Sequence, residues 1–410
     1  MMKVIPPSRP VLLVLASTYP RWRDDPEPGF VHELSRRLTD RFDVHVITPH
    51  FAGALRKEDL DGVHVHRFRY APAAWETLVS GGGMLANVRR DPLKWLLVPG
   101  FLLAMFFSLL RLVRSLRPAL VHGHWIIPQG VIIALARYFC RLPPVVLTSH
   151  GGDLFSLKNG LMGRLKSWVM RRIDHLSVVS EAMVEPAQVL GMPHGQMSVL
   201  PMGVDLDERF TPSEVARSDK LLLFVGRLVE KKGLAHLLNA LPILCQRYPG
   251  LRLRIVGFGP LQESLLQRAV ELGLSESVEF VGAVAQEGLA PHYREATLLV
   301  APFVRASTGD VEGLGLVSIE AIGCQCPVIL GDVPAVWDVL AEQPEWIVNP
   351  QDLQALIAAV SSVLDDPEAV RNRVDTLRGR LYQRFSWSAV AQRYIHLFDN
   401  LIPDSGARQR

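Results

Sequence analysis

The sequence predicts an α/β protein built from two tandem Rossmann-like, doubly wound parallel-sheet domains that face each other across a cleft. Three observations carry this. The chain has 410 residues, too many for one ordinary hydrophobic core. Short β-branched apolar runs recur with helical segments between them, the pattern of parallel strands covered on both faces. That pattern stops at the polar, Pro- and Gly-punctuated stretch PMGVDLDERFTPSEVARSDK, Pro201–Lys220, and then starts again.

In the first half the predicted strands are Val11–Ser17, Val44–Thr48, Val63–Phe68, Leu120–His122, Val145–Thr148, Leu176–Val179 and Ser198–Leu200, with helices such as Phe30–Arg41 and Leu161–Arg172 between them. Pro201–Lys220 is expected as the interdomain linker. The second series reads Leu221–Gly226, Leu251–Gly257, Val278–Gly282, Thr297–Pro302, Pro327–Leu330 and Glu345–Val348. Helices follow at about Leu353–Leu364 and Pro367–Arg384, and a last one, Ala389–Leu397, comes after the cap signal of Ser386. The domains therefore span 1–200 and 201–385, with a final segment 386–410. A frayed tail is expected from Pro403.

Apolar residues make up 49% and charged residues 21%, which is globular rather than disordered. Four scattered cysteines, Cys140, Cys245, Cys324 and Cys326, fit reduced thiols in a cytoplasmic protein rather than a disulfide framework. The net charge of +3 hides an asymmetry: residues 1–200 carry 24 Lys and Arg against 15 Asp and Glu, residues 201–410 carry 20 against 26. A basic surface can seek nucleic acid or anionic lipid. No nucleic-acid motif interleaves aromatic and basic residues here, so lipid or an anionic acceptor is the expected partner and nucleic acid is not.

Val11–Ser17 is too short for a secretory signal and lacks a cleavage site. The run Trp95–Leu110 is shorter than the roughly 20 residues that span a bilayer, and Pro99–Gly100 interrupt it. Arg89, Arg90 and Lys94 precede it, and Arg111, Arg114 and Arg117 follow. Two readings stay open for 95–117: a peripheral helix on an anionic membrane surface at the inner membrane face, or a helix buried against the sheet.

Open parallel sheets bind ligands at the carboxyl ends of their strands, and the motifs fall there. In DVEGLGLVSIEA, Asp310–Ala321, a helix starting near Gly315 leaves its first N–H groups, at Leu316 and Val317, without intrahelical partners and carries a positive dipole end, where phosphate fits. Gly313 and Gly315, flanking Leu314, let backbone approach a ligand, and Gly323 suits the C-cap. Glu312 can accept hydrogen bonds from sugar hydroxyls beside that phosphate. Glu320, a turn and a half inside, suits two vicinal hydroxyls on the nucleoside side; its plain alternative is a surface charge. In FVGRLVEKKG the strand ends at Gly226, and Arg227 and Lys232 stand ready to neutralise a diphosphate; two solvated cations are the alternative.

LTSHGGD, Leu147–Asp153, places His150 and Asp153 at a strand end of the first domain. A lone His is usually structural, but this one sits where the first sheet meets the cleft, which makes it a catalytic candidate. The loop Tyr19–Leu34 carries Arg21 and Trp22, with Gly29 near the start of the helix, and Val121–Gly130 offers His124 and Trp125; Arg21, Trp22, His124, Trp125 and Asp153 are the acceptor-side candidates, with a solvated loop as the alternative for Arg21 and Trp22. Gly81–Gly83 and Asp24–Asp25 are expected to be loop and turn. IVGFGP lacks the third glycine of a dinucleotide fingerprint. Asp310 and Glu312 mimic a metal-binding pair, but the diphosphate already has cations and a helix end, and no His/Cys cluster demands an ion, so no metal and no cofactor is expected.

Taken together, EGLGLVSIEA (an E-x7-E pattern), GRLVEKKG, HGGD, PMGVD and FSW, in this order and over nearly the whole chain, resemble the family-4 (group 1) retaining glycosyltransferases of the GT-B fold. The resemblance implies that Arg227 and Lys232 hold the donor diphosphate, Glu312 and the Gly313–Gly315 backbone the sugar, and Glu320 the ribose. It places Gly29 behind the phosphate, His150 at the reacting face and Val284 against the base, and has the last helix cross back onto the acceptor domain. It implies transfer of a sugar, with retention, from a nucleotide-diphosphate sugar such as a UDP-sugar to a hydroxyl of a glycan or lipid-linked acceptor, in surface polysaccharide or glycolipid synthesis. Acceptor attack would occur on the leaving-group face, with the departing phosphate taking the proton. Met202 in PMGVD and PAVWD at Pro334–Asp338 depart from the family's usual Asn and Gly-Gly-Ile-Pro-Glu. The competing functions are a nucleotide-sugar 2-epimerase on the same scaffold and a catalytically silent nucleotide-sugar-binding protein; the intact Glu312, Arg227, Lys232 and His150 argue against the second.

Overall fold

The computed structural model describes residues 9–403 except 24, 26–28, 80–82, 156–159 and 215. Asp24, Gly81, Gly82 and the tail from 404 therefore lie outside the described residues. The chain divides into two compact units: Met1–Val179 with Met183–Met202 and Val390–Arg410, and Ser180–Ala182 with Gly203–Ala389.

The first unit runs β1 (Val11–Leu15), α1 (Phe30–Arg37), β2 (Asp43–Pro49), β3 (Lys57–Leu60), β4 (Val63–Phe68), α2 (Met84–Arg90), α3 (Val98–Leu116), β5 (Leu120–His124), α4 (Val131–Ala136), β6 (Val145–Ser149), α5 (Gly152–Phe155), α6 (Gly160–Met170), β7 (His175–Val178), α7 (Val184–Val189) and β8 (Met197–Val199). The sheet order is β3-β4-β2-β1-β5-β6-β7-β8. Every pair is parallel except β3 with β4. Strand order reverses between β1 and β5, the switch point where open sheets bind ligands. β5 and β6 are buried along their whole length, because helices cover both faces and an apolar run can bury every side chain. The sequence reading passed over β3. This edge strand reads KEDL and buries only Leu60, so it lacks the apolar run used to find the others.

Helix α3 is apolar on both faces, but the two faces have different fates. Phe101, Met105, Leu109 and Val113, spaced four apart, are buried on the sheet. Leu96, Leu103 and Phe107 are exposed. Pro92–Leu116 is the one segment among the described residues long and apolar enough to cross a membrane by length and composition; its buried face ties it to the sheet.

The second unit runs β9 (Leu221–Val225), α8 (Leu234–Arg247), β10 (Arg252–Val256), α9 (Gln262–Glu271), β11 (Val278–Gly282), α10 (Leu289–Glu295), β12 (Leu298–Ala301), α11 (Leu316–Gly323), β13 (Val328–Gly331), α12 (Trp337–Leu340), β14 (Ile347–Val348), α13 (Leu353–Asp365) and α14 (Pro367–Phe385). Its order, β11-β10-β9-β12-β13-β14, is wholly parallel and reverses between β9 and β12. This is the 3-2-1-4-5-6 arrangement of a nucleotide-binding Rossmann sheet. A final helix α15 (Trp387–Leu401) follows Ser386, whose Oγ accepts from the N–H of Ala389 at 3.3 Å. From Val390 it belongs to the first unit. There the Tyr394 hydroxyl lies 3.2 Å from both Thr148 Oγ1 and Ser177 Oγ, and Phe398 packs edge-on to Phe42.

Two expectations need correction. Residues 203–220 are no free linker: Phe210 is fully buried and meets Tyr293 edge-on at 5.9 Å. Gly323 is no C-cap: it is the last residue of α11, and the left-handed residue is Gln325 with φ 60°. Gly323 is small for another reason. A Cβ there would stand 2.6 Å from Leu206 Cδ2 and from the Phe210 carbonyl oxygen, so the glycine lets the 206–210 segment close on α11.

Candidate active site

In the second unit the turn after β9 and the loop after β12 interlock residue by residue. Glu230 accepts from Ser307 through its N–H at 2.8 Å and its hydroxyl at 2.7 Å. Lys231 Nζ pairs with Asp310 at 3.1 Å, and Lys232 Nζ with Glu312 Oε2 at 2.7 Å. The chain can turn this tightly because Gly233 takes φ 69°, where a Cβ would fall 1.8 Å from the Pro302 carbonyl oxygen. The Lys232 stem runs over Gly226, whose missing Cβ would lie 3.5 Å from it, and its ammonium sits 4.8 Å above the Phe303 ring. Asp310 and Glu312, which look like a metal pair in the sequence, each hold a lysine instead.

Burial pushes the Glu312 carboxyl up. The charges of Lys232 and Lys231, the Lys232 hydrogen bond and the Gly313 N–H outweigh burial and bring it down to about 2. At neutral pH Glu312 is therefore an acceptor only. Gly315 precedes α11 with φ 73°, a left-handed conformation that suits glycine, and lies over the Phe303 edge. α-Helix geometry leaves the N–H groups of Leu316 and Val317 without intrahelical acceptors, two and three residues after buried Leu314. Arg227 is exposed at the end of β9, and no carboxylate among the described residues pairs with it. Lys232, paired with Glu312, thus stands beside an open helix start at the switch point, and exposed Arg227 follows the end of β9 on the same side of the switch. Such an arrangement is chemically able to receive a multiply charged anion.

The plain alternative for Glu320, a surface charge, does not hold. It is buried, and the Tyr293 hydroxyl donates to its Oε2 at 2.7 Å. Burial raises its carboxyl against hydrogen bonds from Tyr293 and Gln286. Tyr293 was missed because it lies on α10, 27 positions upstream, and only folding brings it near. Val284, half-buried, follows β11 on the segment that leads to Gln286. In the divergent PAVWD segment the Trp337 indole donates to Asp332 at 3.0 Å, and buried Asp338 pairs with Arg384 and accepts from the Glu181 N–H.

The first unit brings its candidates together after β5 and β6. His124 Nδ1 lies 3.0 Å from His150 Nε2, with the rings stacked at 5.3 Å. Trp125 and Phe30 pack against His150 at 4.9 and 5.0 Å. Burial holds His150 and His122 down to about 3 and His124 well below its ordinary value, so the cluster is neutral at pH 7. Asp153 spends both oxygens on the protein: Oδ2 accepts from the Ile126 N–H at 2.7 Å, Oδ1 from the Ser149 hydroxyl at 2.9 Å and the His150 N–H at 3.1 Å. It positions the two loops against each other. Trp125 has φ 70°, a conformation bulky side chains rarely adopt. Buried Gln129, with its amide oriented to satisfy both ends, accepts from the Ser17 N–H and hydroxyl and so links this loop to the end of β1.

The loop between β1 and α1 carries the remaining candidates of this unit. Arg21 is bound by the buried carboxylate of Asp25 at 2.5 Å and lies over the Trp22 and Phe51 rings. Trp22 is exposed and meets Phe51 edge-on. Gly29 precedes α1 without a side-chain cap; a Cβ there would be 3.8 Å from Pro20.

Two Rossmann-type sheets, the second with a cationic turn facing a glycine-opened helix, define the GT-B class of nucleotide-sugar-dependent glycosyltransferases. Comparison with known proteins agrees and is more specific. Residues 30–208 match the family described as Glycosyltransferase Family 4, and residues 207–378 match Glycosyl transferases group 1. Glycogen synthase of Mycobacterium tuberculosis is 30% identical over 336 residues, 78% of each chain. A GDP-mannose-dependent alpha-(1-6)-phosphatidylinositol monomannoside mannosyltransferase of Mycolicibacterium smegmatis is 37% identical over 187 residues, 43% of this chain and 49% of the relative. Among solved structures, sucrose-phosphate synthase from Thermosynechococcus elongatus superposes with a TM-score of 0.77 over 97% of this chain and 100% of the other, at 22% identity. The chain belongs to the group 1 glycosyltransferases of family 4.

Proposed function

We propose that the protein transfers a hexose, with retention of anomeric configuration, from a nucleoside-diphosphate sugar to a hydroxyl of a glycan or lipid-linked acceptor. The observation that carries this reading is the Lys232–Glu312 pair at 2.7 Å beside the Gly315-opened start of α11, with Arg227, which pairs with no carboxylate among the described residues, at the end of β9. Lys232, Arg227 and the helix start receive the pyrophosphate and stabilise the charge that grows on it as the sugar departs. Glu312, held ionised, accepts hydrogen bonds from the sugar hydroxyls, and Glu320 lies one and a half turns along α11 for the ribose.

Proton inventory supports attack on the leaving-group face. Glu312 near 2 and His150 near 3 are both too weakly basic to take a hydroxyl proton efficiently near neutrality. The departing phosphate oxygen is the stronger base, and the metal-free reading needs no other. His150 then contributes a neutral hydrogen bond to the reacting sugar, with Trp125 and Phe30 fixing its ring. The test is to supply UDP-, GDP- and ADP-hexoses with lipid and oligosaccharide acceptors and read the new linkage by NMR. An α-linked product from an α-linked donor supports the proposal. An inverted linkage, or donor isomerisation with no acceptor, overturns it.

The acceptor side adds a membrane. Exposed Leu93, Trp95, Leu96, Leu103 and Phe107 lie among exposed Arg89, Arg90, Arg111, Arg114 and Arg117, an apolar surface with a cationic border that suits anionic lipid. The relative named for a phosphatidylinositol monomannoside acceptor is consistent with this. Flotation on anionic vesicles that weakens with salt and with Phe107→Glu is the expected result; no salt-sensitive binding contradicts it.

A further inference from the structure

A cluster that the transfer reaction does not use lies at the amino ends of β2 and β4. In their parallel pairing His45 stands opposite His64, with Asp43 two residues before His45 on the same face. His45 Nε2 is 3.4 Å from Asp43 Oδ2, and His64 Nε2 is 3.4 Å from Asp43 Oδ1. These separations are long for hydrogen bonds. The two histidines face different oxygens of the one carboxylate, and each separation is close to the roughly 3.4 Å between neighbouring ligand atoms that metal bonds of about 2.0–2.1 Å produce, so a carboxylate that turns slightly can present one oxygen to an ion held by both rings. One atom from each of the three side chains lies within 4.8 Å of the others.

The outer shell fits as well. A ligating histidine usually gives its other ring nitrogen to a carboxylate or another polar group, which fixes its tautomer and orientation. Here His45 Nδ1 lies 3.0 Å from His66 Nε2, and His64 Nδ1 lies 3.4 Å from Asp59 Oδ2. Both inner histidines therefore offer Nε2 inward; His45 is hydrogen-bonded at Nδ1, and His64 Nδ1 faces the Asp59 carboxylate at a longer range. His64 and Asp43 are about half exposed while His45 is nearly buried, so an ion can enter from solvent and keep water at its fourth position.

We propose that Asp43, His45 and His64 bind one zinc ion, with His66 and Asp59 as its outer shell. The two nitrogens and one carboxylate oxygen suit zinc, and the same donors would take nickel or copper in vitro. The strands' carboxyl ends carry the candidate active-site loops, and this site is at their amino ends. Its role is accordingly to clamp β2 to β4 and, through Asp59, to hold the edge strand β3, not to activate a substrate.

The test uses tag-free, chelator-treated full-length protein titrated with zinc chloride by calorimetry, with melting followed in parallel. One ion per chain and a rise of several degrees in melting temperature are expected. Asp43→Asn combined with His64→Gln, both at solvent-facing positions, should abolish that binding event and the rise. His66→Phe should weaken binding about 10–100-fold. Transfer activity in excess chelator should stay near the metal-loaded value. No stoichiometric binding to the wild type, or full binding by the double variant, overturns the proposal. Loss of transfer on chelation, restored only by the ion, overturns the structural role assigned to it.

Discussion

The two candidate clusters are built from opposite chemistry. At the strand ends of the second unit everything is ionic: Lys231 with Asp310, Lys232 with Glu312, and Arg227 with no carboxylate among the described residues. At those of the first unit the groups are aromatic and uncharged, His122 and His124 buried and His150, Trp125 and Phe30 half-buried. The overall charges run the other way, +9 for residues 1–200 and −6 for residues 201–410. Net charge therefore describes the outside of each unit and says little about its site. A pyrophosphate needs fixed positive groups. A sugar and an uncharged hydroxyl need flat apolar faces and hydrogen bonds that carry no charge.

The largest effect should come from the ionic side. Lys232→Ala removes a cation from the leaving group and leaves Glu312 without its close partner, and should lower kcat by about 10²–10³. Circular dichroism should show the fold retained. A drop of less than tenfold would make the pair structural. Gly233→Ala addresses the same turn through stability: the left-handed φ and the clash with the Pro302 carbonyl should cost at least about 2 kcal/mol in denaturant melts. A neutral result would mean that the turn can rearrange.

His150→Ala should be milder, lowering kcat roughly tenfold, the worth of one hydrogen bond of about 1.4 kcal/mol. The wild-type rate profile should show no ionisation of His150 near pH 6.5, because burial holds that ring near 3. A charged, catalytic His150 would show the opposite on both counts. The smallest effect is on acid stability. An unfolded histidine titrates near 6.5, whereas folded His122 and His150 take protons only near 3. The unfolded chain thus binds extra protons between those values, and the first unit loses stability as pH falls through that window. Asp153, raised by burial, opposes this in part. In the second unit Glu312 loses its contribution only as pH falls from about 4.5 toward 2, whereas Glu320, raised by burial, regains stability above that window, as pH falls toward about 4.5. Hydrogen exchange at pH 5 should therefore open β5 and β6 before α11; the reverse order would contradict the comparison.

The sequence announces what repeats and hides what pairs. Both parallel sheets are visible because buried strands such as LLLFV and VVLTS are unbroken apolar runs. β3 is hidden because an edge strand can be polar. Lys232 and Glu312 stand out by motif, yet the pairing of Glu230, Lys231 and Lys232 with Ser307, Asp310 and Glu312 depends on how two loops meet. Phe303, which supports both Lys232 and Gly315, is two residues past the end of β12 and could have been flagged by position. Glu320's partner Tyr293 and the grouping of His45 with His64 could not, since strand register and helix packing bring them together. The alternation VHVHRF on β4 was the one available hint of the histidine cluster.

The central claim is that the second unit holds the donor through its pyrophosphate. It is tested most directly by measuring nucleoside-diphosphate affinity in the wild type, Arg227→Gln, Lys232→Gln and His150→Ala, using whichever of UDP, GDP and ADP stabilises the wild type. The account predicts about a tenfold or greater loss for each of the two cation variants, with a shallower salt dependence, and no change for His150→Ala. Unchanged affinity in both cation variants would contradict it.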